Sequence, residues 1–180
     1  VPVKPEFLTE LRELTKRFGV VLIFDEVVTG FRISKSGAQG YFGITPDMCT
    51  MAKILAGGLP GGAVGGKAEI INMIQFRDDD TFNNTTRIPH NGTYNANPLS
   101  AVAGATALGL VANTPVNVTA NAMADRLKKG LNKMLAETET SGRATGVASM
   151  VFLRLGVDIN SDDDLYGFGS EEYKKILNPA

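Results

Sequence analysis

The apolar run 20–24 constrains the fold more than any other segment, because five consecutive apolar residues lead directly into Asp25 and Glu26. Apolar residues recur at helical spacing over 7–18, which predicts an amphipathic helix, and Gly19 suits the left-handed end of such a helix. An unbroken apolar run with β-branched residues predicts a strand that is buried on both faces. Helix, glycine, strand and terminal acid together predict an α/β protein.

Charge and composition narrow the class of function. The 180 residues carry 18 Lys and Arg against 19 Asp and Glu, so the chain lacks the basic excess needed to bind nucleic acid or an anionic membrane. No apolar run approaches the roughly 18 residues of a membrane-spanning helix. One cysteine, Cys49, and one histidine, His90, argue against a disulfide framework and a zinc site. We therefore expect a soluble, cytoplasmic protein without a metal ion.

The second half of the chain predicts two consecutive helices. Pro98 suits the start of a helix over 99–111, and the many small residues of that helix predict close packing and burial. Asn113-Thr114-Pro115 ends this helix. The segment 116–137 has one apolar face and one basic face, which predicts a second, amphipathic helix.

Three shorter segments give weaker signals. The segment 68–76 has the apolar face of a helix, and 149–155 is expected to form a strand. The polar segment 77–89 is expected to be a surface loop. It contains Asp78-Asp79-Asp80, and a solvated loop explains these acids better than a metal site does.

A partly desolvated carboxylate ends the predicted strand. Asp25 needs a cation or hydrogen-bond donors beside it, because a buried charge is costly unless it is paired. Taken alone, Asp25 favours a helix cap or a salt bridge to Arg32 over a functional role.

Lys53 lies among apolar residues and is followed by Gly57-Gly58. Desolvation lowers the pKa of an amine and makes it a usable nucleophile or Schiff-base former. A lysine at a half-buried strand edge, with its ammonium reaching solvent, is by itself a somewhat better explanation.

The glycine-rich segment 57–66 partly matches a phosphate-binding loop. Gly61 to Lys67 has the spacing G-x-x-x-x-G-K, but Ala68 replaces the hydroxyl residue that would ligate Mg²⁺. A turn in which the backbone approaches another backbone or a cofactor explains these glycines better.

The polar segment 90–98 leads into the helix that Pro98 begins. Its backbone N–H groups and the Thr93 hydroxyl suit a phosphate group, but capping of the helix by Asn95 or Asn97 is the favoured explanation for the segment alone. His90 and Cys49 have no partner at catalytic spacing, and we interpret both as structural.

Three segments, in order, resemble the class-III (fold-type I) pyridoxal-phosphate (PLP) aminotransferases. The first is 22–32, Leu-Ile-Phe-Asp-Glu-Val-Val-Thr-Gly-Phe-Arg, and the second is 52–66, which runs from Ala-Lys-Ile-Leu-Ala-Gly-Gly to Gly-Gly. The third is 92–99, Gly-Thr-Tyr-Asn-Ala-Asn-Pro-Leu. Within the family, the glutamate-1-semialdehyde aminomutases are the most similar.

The resemblance implies a fold and a division of the chain. It implies an α/β fold with a mixed central sheet in a large domain, followed by part of a smaller C-terminal α+β domain. We place the boundary near Asn113, with 1–112 as the rear part of the large domain and 113–180 as the incomplete start of the small one.

The resemblance also implies roles for four residues. Asp25 would pair with the pyridine nitrogen of pyridoxal 5'-phosphate, and Val27 would pack against the ring. Lys53 would form the Schiff base and carry a proton between substrate and cofactor. Thr93 would bind the cofactor phosphate of the neighbouring subunit in a homodimer.

The implied activity is transfer of an amino group from an amino acid or amine to a keto acid or aldehyde. Two alternatives stay open. One is the intramolecular amino transfer of a glutamate-1-semialdehyde 2,1-aminomutase. The other is a catalytically incompetent fragment that retains only dimer contacts, because the family's upstream phosphate-binding turn precedes Val1.

Overall fold

The computed structural model describes residues 3–156, which fall into two compact units. One unit is Thr9–Asn117, and the other joins the described residues from Val118 onward to those up to Leu8. The predicted domain boundary near Asn113 stays a prediction, and residues 157–180 of the predicted small domain lie outside the described residues.

The helices are α1 (Pro5–Arg17), α2 (Gly37–Phe42), α3 (Ala68–Ile71), α4 (Asp80–Thr85), α5 (Pro98–Asn113) and α6 (Val116–Glu137). The strands are β1 (Ile23–Glu26), β2 (Met48–Ala52), β3 (Gly62–Gly66), β4 (Gly142–Thr145) and β5 (Phe152–Leu155).

Helix α1 forms where the apolar spacing predicts it, but it buries a different face. Gly19 has a φ of 63° and follows the helix in the predicted left-handed conformation. Arg12 and Thr15 are buried, whereas more than half of the surface is exposed in three residues of the predicted apolar stripe, Phe7, Leu14 and Phe18. The buried face of α1 is therefore polar and needs partners inside the fold.

Three strands form a mixed sheet in the order β1-β2-β3. Strand β1 runs parallel to β2, with Asp25 opposite Thr50, and β3 runs antiparallel to β2, with Val64 opposite Thr50. This sheet confirms the predicted α/β class and its mixed strand directions.

The first strand differs from the prediction in its start and in its burial. The Val20 N–H donates to the Thr15 carbonyl at 2.9 Å, so the chain is still leaving α1 at this point and β1 begins only at Ile23. Ile23 is 54% exposed, whereas Glu26, which points to the opposite face, is 1% exposed. The prediction of burial on both faces is therefore wrong for the described residues, and one face of the sheet is open.

Two glycines let the turn after β2 pack directly on α5. A short 3-10 helix, Lys53–Ala56, follows β2 and ends at Gly57, which has a φ of 62°. A Cβ on Gly57 would collide with the Ala103 carbonyl, and a Cβ on Gly104 would collide with the Leu55 carbonyl. The expected close approach of backbone to backbone is thus found at this turn.

The segment between β3 and α5 is more helical and less regular than predicted. The predicted helix over 68–76 is α3 followed by a 3-10 turn, Asn72–Ile74. The predicted loop over 77–89 contains α4, because the Asp79 side chain caps it by accepting a hydrogen bond from the Phe82 N–H at 3.0 Å. One acid of the Asp78-Asp79-Asp80 triplet therefore has a structural role.

Helices α5 and α6 occupy the predicted segments. The predicted burial of α5 is wrong along most of its length, since only Gly104 and Val111 are buried within it. The small residues of α5 serve one narrow line of contact around Gly104. No single described helix is long and apolar enough to cross a membrane, and α5 and α6 meet a test of length and composition only when counted together across the break between them.

The unit that contains most of α6 includes a two-stranded antiparallel hairpin, β4-β5. The predicted strand over 149–155 is confirmed in its second half as β5, whereas β4 is an additional strand that the sequence reasoning missed. Asn132 of α6 fastens the hairpin, because its amide donates to the Ala144 carbonyl at 2.9 Å and accepts from the Ala144 N–H at 2.7 Å.

Candidate active site

Asp25 lies near the carboxyl end of β1, on the open face of the sheet. Its Oδ1 atom accepts a hydrogen bond from the Val27 N–H at 3.0 Å and one from the Thr50 hydroxyl at 3.2 Å. The carboxylate is exposed and is held only by neutral donors among its hydrogen bonds in the described part of the chain. One of its oxygens is therefore fixed, while the other accepts no hydrogen bond from the described residues.

The next residue, Glu26, anchors the same strand end from the buried face. Its carboxylate accepts hydrogen bonds from the Thr29 hydroxyl at 2.6 Å, the Ala38 N–H at 2.8 Å and the Gln39 N–H at 2.9 Å. These bonds tie the turn after β1 to the start of α2 and fix the backbone from which Asp25 projects. Sequence reasoning missed this role, although alternation along a strand already places the two acids on opposite faces.

Lys53 follows β2 directly and begins the 3-10 helix Lys53–Ala56. Its φ of 52° is left-handed, a conformation that costs a residue with a Cβ about 1 kcal/mol or more. Its side chain is exposed. Because the adjacent strands β1 and β2 are parallel, their carboxyl ends bring Asp25 and the segment of Lys53 to the same edge of the sheet.

Thr93 lies in an exposed turn before α5. Among the described residues, no hydrogen bond joins Thr93 to Asp25 or Lys53, and its role as a phosphate contact stays a prediction. Asn97 caps α5, because its side-chain oxygen accepts from the Leu99 N–H at 3.0 Å and from the Ser100 N–H at 3.2 Å. The capping explanation of this segment is therefore confirmed for Asn97.

A groove of about 940 Å³ connects the glycine turn with the segment before α5. Ala56 and Pro60–Gly62 line one side, and His90, Tyr94–Asn97 and residues of α5 line the other. The groove is mainly apolar, and Ser100 is one of its lining residues. The hydroxyl of Ser100 donates to the Pro60 carbonyl at 2.7 Å.

The amino end of the same sheet carries an ion cluster that sequence reasoning missed. Asp47 accepts hydrogen bonds from Arg12 and from the Leu22 N–H, both at 2.8 Å, and pairs with Lys67 at 2.9 Å. These three donors, Arg12 foremost, hold the pKa of Asp47 well below its ordinary range. In turn, Asp47 raises the pKa of Lys67.

This cluster also argues against the phosphate-loop alternative. Residues 62–66 of that partial motif form β3, which pairs with β2 in an antiparallel ladder. Lys67, which would have to reach a phosphate, is instead bound to Asp47. The signal that could have revealed the cluster is the pair Pro46-Asp47 directly before a strand, which places a carboxylate at a sheet end.

Comparison with solved structures defines the fold. The structure superimposes on an omega-transaminase from Sphaerobacter thermophilus with a TM-score of 0.75 and 40% identity, over 86% of this chain and 34% of that one. A transaminase solved with PLP bound matches with a TM-score of 0.73 and 29% identity, over 85% of this chain and 34% of the other. The fold is that of the fold-type I PLP-dependent transferases.

Sequence comparison then gives the family. The model of the family described as Aminotransferase class-III matches residues 1–164, and the chain belongs to this family. The glutamate-1-semialdehyde 2,1-aminomutase of Methanococcoides burtonii is 41% identical over 98% of this chain. That of Saccharolobus islandicus is 44% identical over 94%. The chain spans only about 40% of the length of these relatives, 40% and 38% respectively.

Proposed function

We propose that the complete protein carrying these 180 residues is a PLP-dependent aminotransferase. It would move an amino group from an amino acid or amine to a keto acid or aldehyde. The observation that carries this proposal is the placement of Asp25 and Lys53 at the carboxyl ends of adjacent parallel strands, with Lys53 held in a left-handed conformation. Backbone strain of this kind persists where the surrounding structure enforces it, and it is concentrated at functional sites.

The residues present fit PLP. The cofactor needs a carboxylate for its ring nitrogen and an amine for its aldehyde, and here an exposed carboxylate and an exposed amine occur at one sheet edge. The sheet face beside Asp25 is open, with Ile23 54% and Val64 49% exposed, so a flat aromatic ring can lie on it. When bound, PLP supplies a conjugated ring that withdraws the electron pair left on the substrate carbon.

Each residue then has a distinct task. Asp25 holds a proton at the ring nitrogen, and Val27, whose N–H orients that carboxylate, packs against the ring. Lys53 would supply the amine for the cofactor aldehyde, a condensation that releases water, and would move a proton at the substrate carbon once the substrate amine has taken its place. Thr93 binds the phosphate of a neighbouring subunit's cofactor, in keeping with its exposure in the turn before α5.

A second candidate function is intramolecular amino transfer, as in glutamate-1-semialdehyde 2,1-aminomutase. The names of the relatives at 41% and 44% identity support it, whereas the 40% identical solved structure is an omega-transaminase. Incubation with glutamate-1-semialdehyde separates the two. An aminomutase forms product without an added keto acid, and an aminotransferase requires one.

The direct test is reduction of the PLP-loaded complete protein with borohydride. We expect a visible absorption band before reduction and a phosphopyridoxyl group on Lys53 afterwards, located by peptide mass spectrometry. A modification on any other lysine would contradict the assignment.

The third possibility, a fragment without catalytic competence, concerns the 180 residues by themselves. We expect them to bind PLP weakly or not at all, because the chain spans about 40% of its relatives. Stoichiometric binding by the isolated 180 residues would contradict this expectation. The homodimer and the cytoplasmic location stay predictions.

A further inference from the structure

We propose that Thr50 is a positioning residue for Asp25, and that its hydroxyl decides which carboxylate oxygen faces the ring nitrogen of PLP. This inference rests on the proposed function, because it concerns the same site. It assigns to Thr50 an effect on the cofactor that is exerted only through Asp25.

The strand register brings the two side chains together. Asp25 and Thr50 are direct partners across the parallel pair β1-β2, so their side chains stand on the same face of the sheet. The Thr50 hydroxyl donates to Asp25 Oδ1 at 3.2 Å. This contact is the one side chain to side chain hydrogen bond that Asp25 makes within the described residues.

Both donors converge on one oxygen. The Val27 N–H also donates to Oδ1, at 3.0 Å, and Oδ2 accepts no hydrogen bond from the described residues. With Oδ1 fixed from two sides, Oδ2 is the oxygen left to accept from a protonated ring nitrogen. Because Asp25 is exposed, loss of the hydroxyl would leave a carboxylate that water can reach and that one backbone N–H must orient alone.

Thr50 also lies on the strand that leads into Lys53, three residues before it. The hydrogen bond therefore connects the residue that binds the ring nitrogen to the strand that carries the reactive amine. The spacing between these two groups matters, because small errors of position in a reactive site reduce the rate strongly.

The competing explanation is that Thr50 is simply a good strand residue. β-Branched side chains favour strands, so valine would then replace threonine without loss and serine would be the poorer substitute. Positioning through the hydroxyl predicts the reverse order, because serine retains the donor and valine does not. The two explanations are thus separated by one nearly isosteric variant that lacks the hydroxyl and one smaller variant that keeps it.

The experiment measures PLP affinity, and the pH at which the visible band changes, in the complete protein and in the variants Thr50→Val and Thr50→Ser. We expect Thr50→Val to weaken PLP binding about tenfold and to shift the pH transition of the band, and Thr50→Ser to remain within about threefold of the parent protein. In an Asp25→Asn background the valine substitution should add no further change, since contacting residues couple and lose their effects together.

The outcomes separate the inference from the proposed function. A parent protein that carries the modification on Lys53, together with an unchanged Thr50→Val variant, overturns this inference alone. A change in Thr50→Val that is equally large in the Asp25→Asn background also overturns it, because the effect would then not pass through Asp25. A parent protein in which Lys53 is never modified overturns both proposals.

Discussion

The sheet carries a carboxylate at each end, and the two differ in their burial and in their partners. Asp47, before β2, is buried. It pairs with Arg12 and Lys67 and accepts a hydrogen bond from the Leu22 N–H. Asp25, at the carboxyl end of β1, is exposed and receives only the Thr50 hydroxyl and the Val27 N–H in the described residues. The Asp47 carboxylate is paired with two cations, whereas Oδ2 of Asp25 accepts no hydrogen bond from the described residues.

The difference shows how one sheet separates stability from chemistry. A carboxylate that is already paired with two cations has little left to offer a ligand, whereas removal of either partner leaves an uncompensated charge. A carboxylate oriented by neutral donors retains its charge for a cationic group that arrives later. We therefore expect mutations at the Asp47 end to change stability, and mutations at the Asp25 end to change cofactor binding and turnover.

The largest effect on activity is expected for Lys53→Gly. Loss of the amine should reduce turnover by about a hundredfold to ten-thousandfold, the range associated with a lost acid–base group. Because glycine accepts the left-handed φ of 52°, the same variant should gain about 1 kcal/mol of stability. Steady-state kinetics and urea denaturation of the apo protein check the two halves of this prediction.

The matched control at the other end of the sheet is Lys67→Ala. It should retain the visible band of the PLP-loaded protein and unfold at a lower temperature, because Asp47 loses one of its cations. A Lys67→Ala variant that loses the band while Lys53→Gly keeps it would reverse the comparison.

Asp47→Asn should produce the largest loss of stability. The pKa of Asp47 is lowered in the folded protein, chiefly by Arg12, so its contribution is fully present above its ordinary pKa of 3.8 and is lost as pH falls below that value. The variant should melt several degrees below the parent protein at neutral pH. The difference between the two melting temperatures should shrink progressively as the pH falls below 3.8.

Thermal melts at a series of pH values check this prediction. Asp25→Asn serves as the control, since it removes a carboxylate from the same sheet without breaking an observed ion pair. A pH-independent difference for Asp47→Asn would show that the ion cluster is not the source of the stability.

Gly57→Ala should cause a smaller loss of stability than Asp47→Asn does. It disturbs the close packing on α5 of the turn that follows Lys53. Gly57 and Gly19 have nearly the same left-handed φ, 62° and 63°, but a Cβ would meet the Ala103 carbonyl at Gly57 and open space at Gly19. Both substitutions should lower the free energy of unfolding by about 1 kcal/mol because of the backbone conformation, and Gly57→Ala should lower it further because of the collision. Equal losses in urea denaturation would argue against close packing of the turn on α5.

The sequence predicted the Asp25 end of the sheet far better than the Asp47 end. Asp25 and Lys53 stand in local patterns, an acid after an apolar run and a lysine before paired glycines, and these patterns are visible in single segments. The Asp47 cluster joins residues 12, 47 and 67, and nothing local shows that α1 turns its polar face inward. Contacts between distant segments depend on the packing of the whole fold.

The errors in secondary structure come from capping bonds and strand pairing that an apolar pattern does not show. Strand β1 starts later than its apolar run because the Val20 N–H still closes the end of α1 by donating to the Thr15 carbonyl. Helix α4 was missed because its cap, Asp79, is one of three consecutive acids that read as a solvated loop. Strand β4 contains glycine, arginine, alanine and threonine, which carry almost no strand signal without the partner strand β5.

The smallest effect is expected for Asn97→Ala, at the start of α5. Its side-chain oxygen satisfies two N–H groups of the first turn, at 3.0 and 3.2 Å, so its loss should cost about 1 kcal/mol. Asn95→Ala is the control, since within the described residues the Asn95 side chain makes one hydrogen bond, at 3.4 Å to the His90 carbonyl.

Asn95 and Asn97 both belong to the segment that resembles the phosphate-binding part of the family, so PLP affinity separates a capping role from a phosphate contact. If Asn97 acts only as a cap, urea denaturation should show the loss while PLP affinity stays within about twofold. A larger fall in affinity for Asn97→Ala than for Thr93→Ala would mean that the capping residue, and not the threonine, is the phosphate contact.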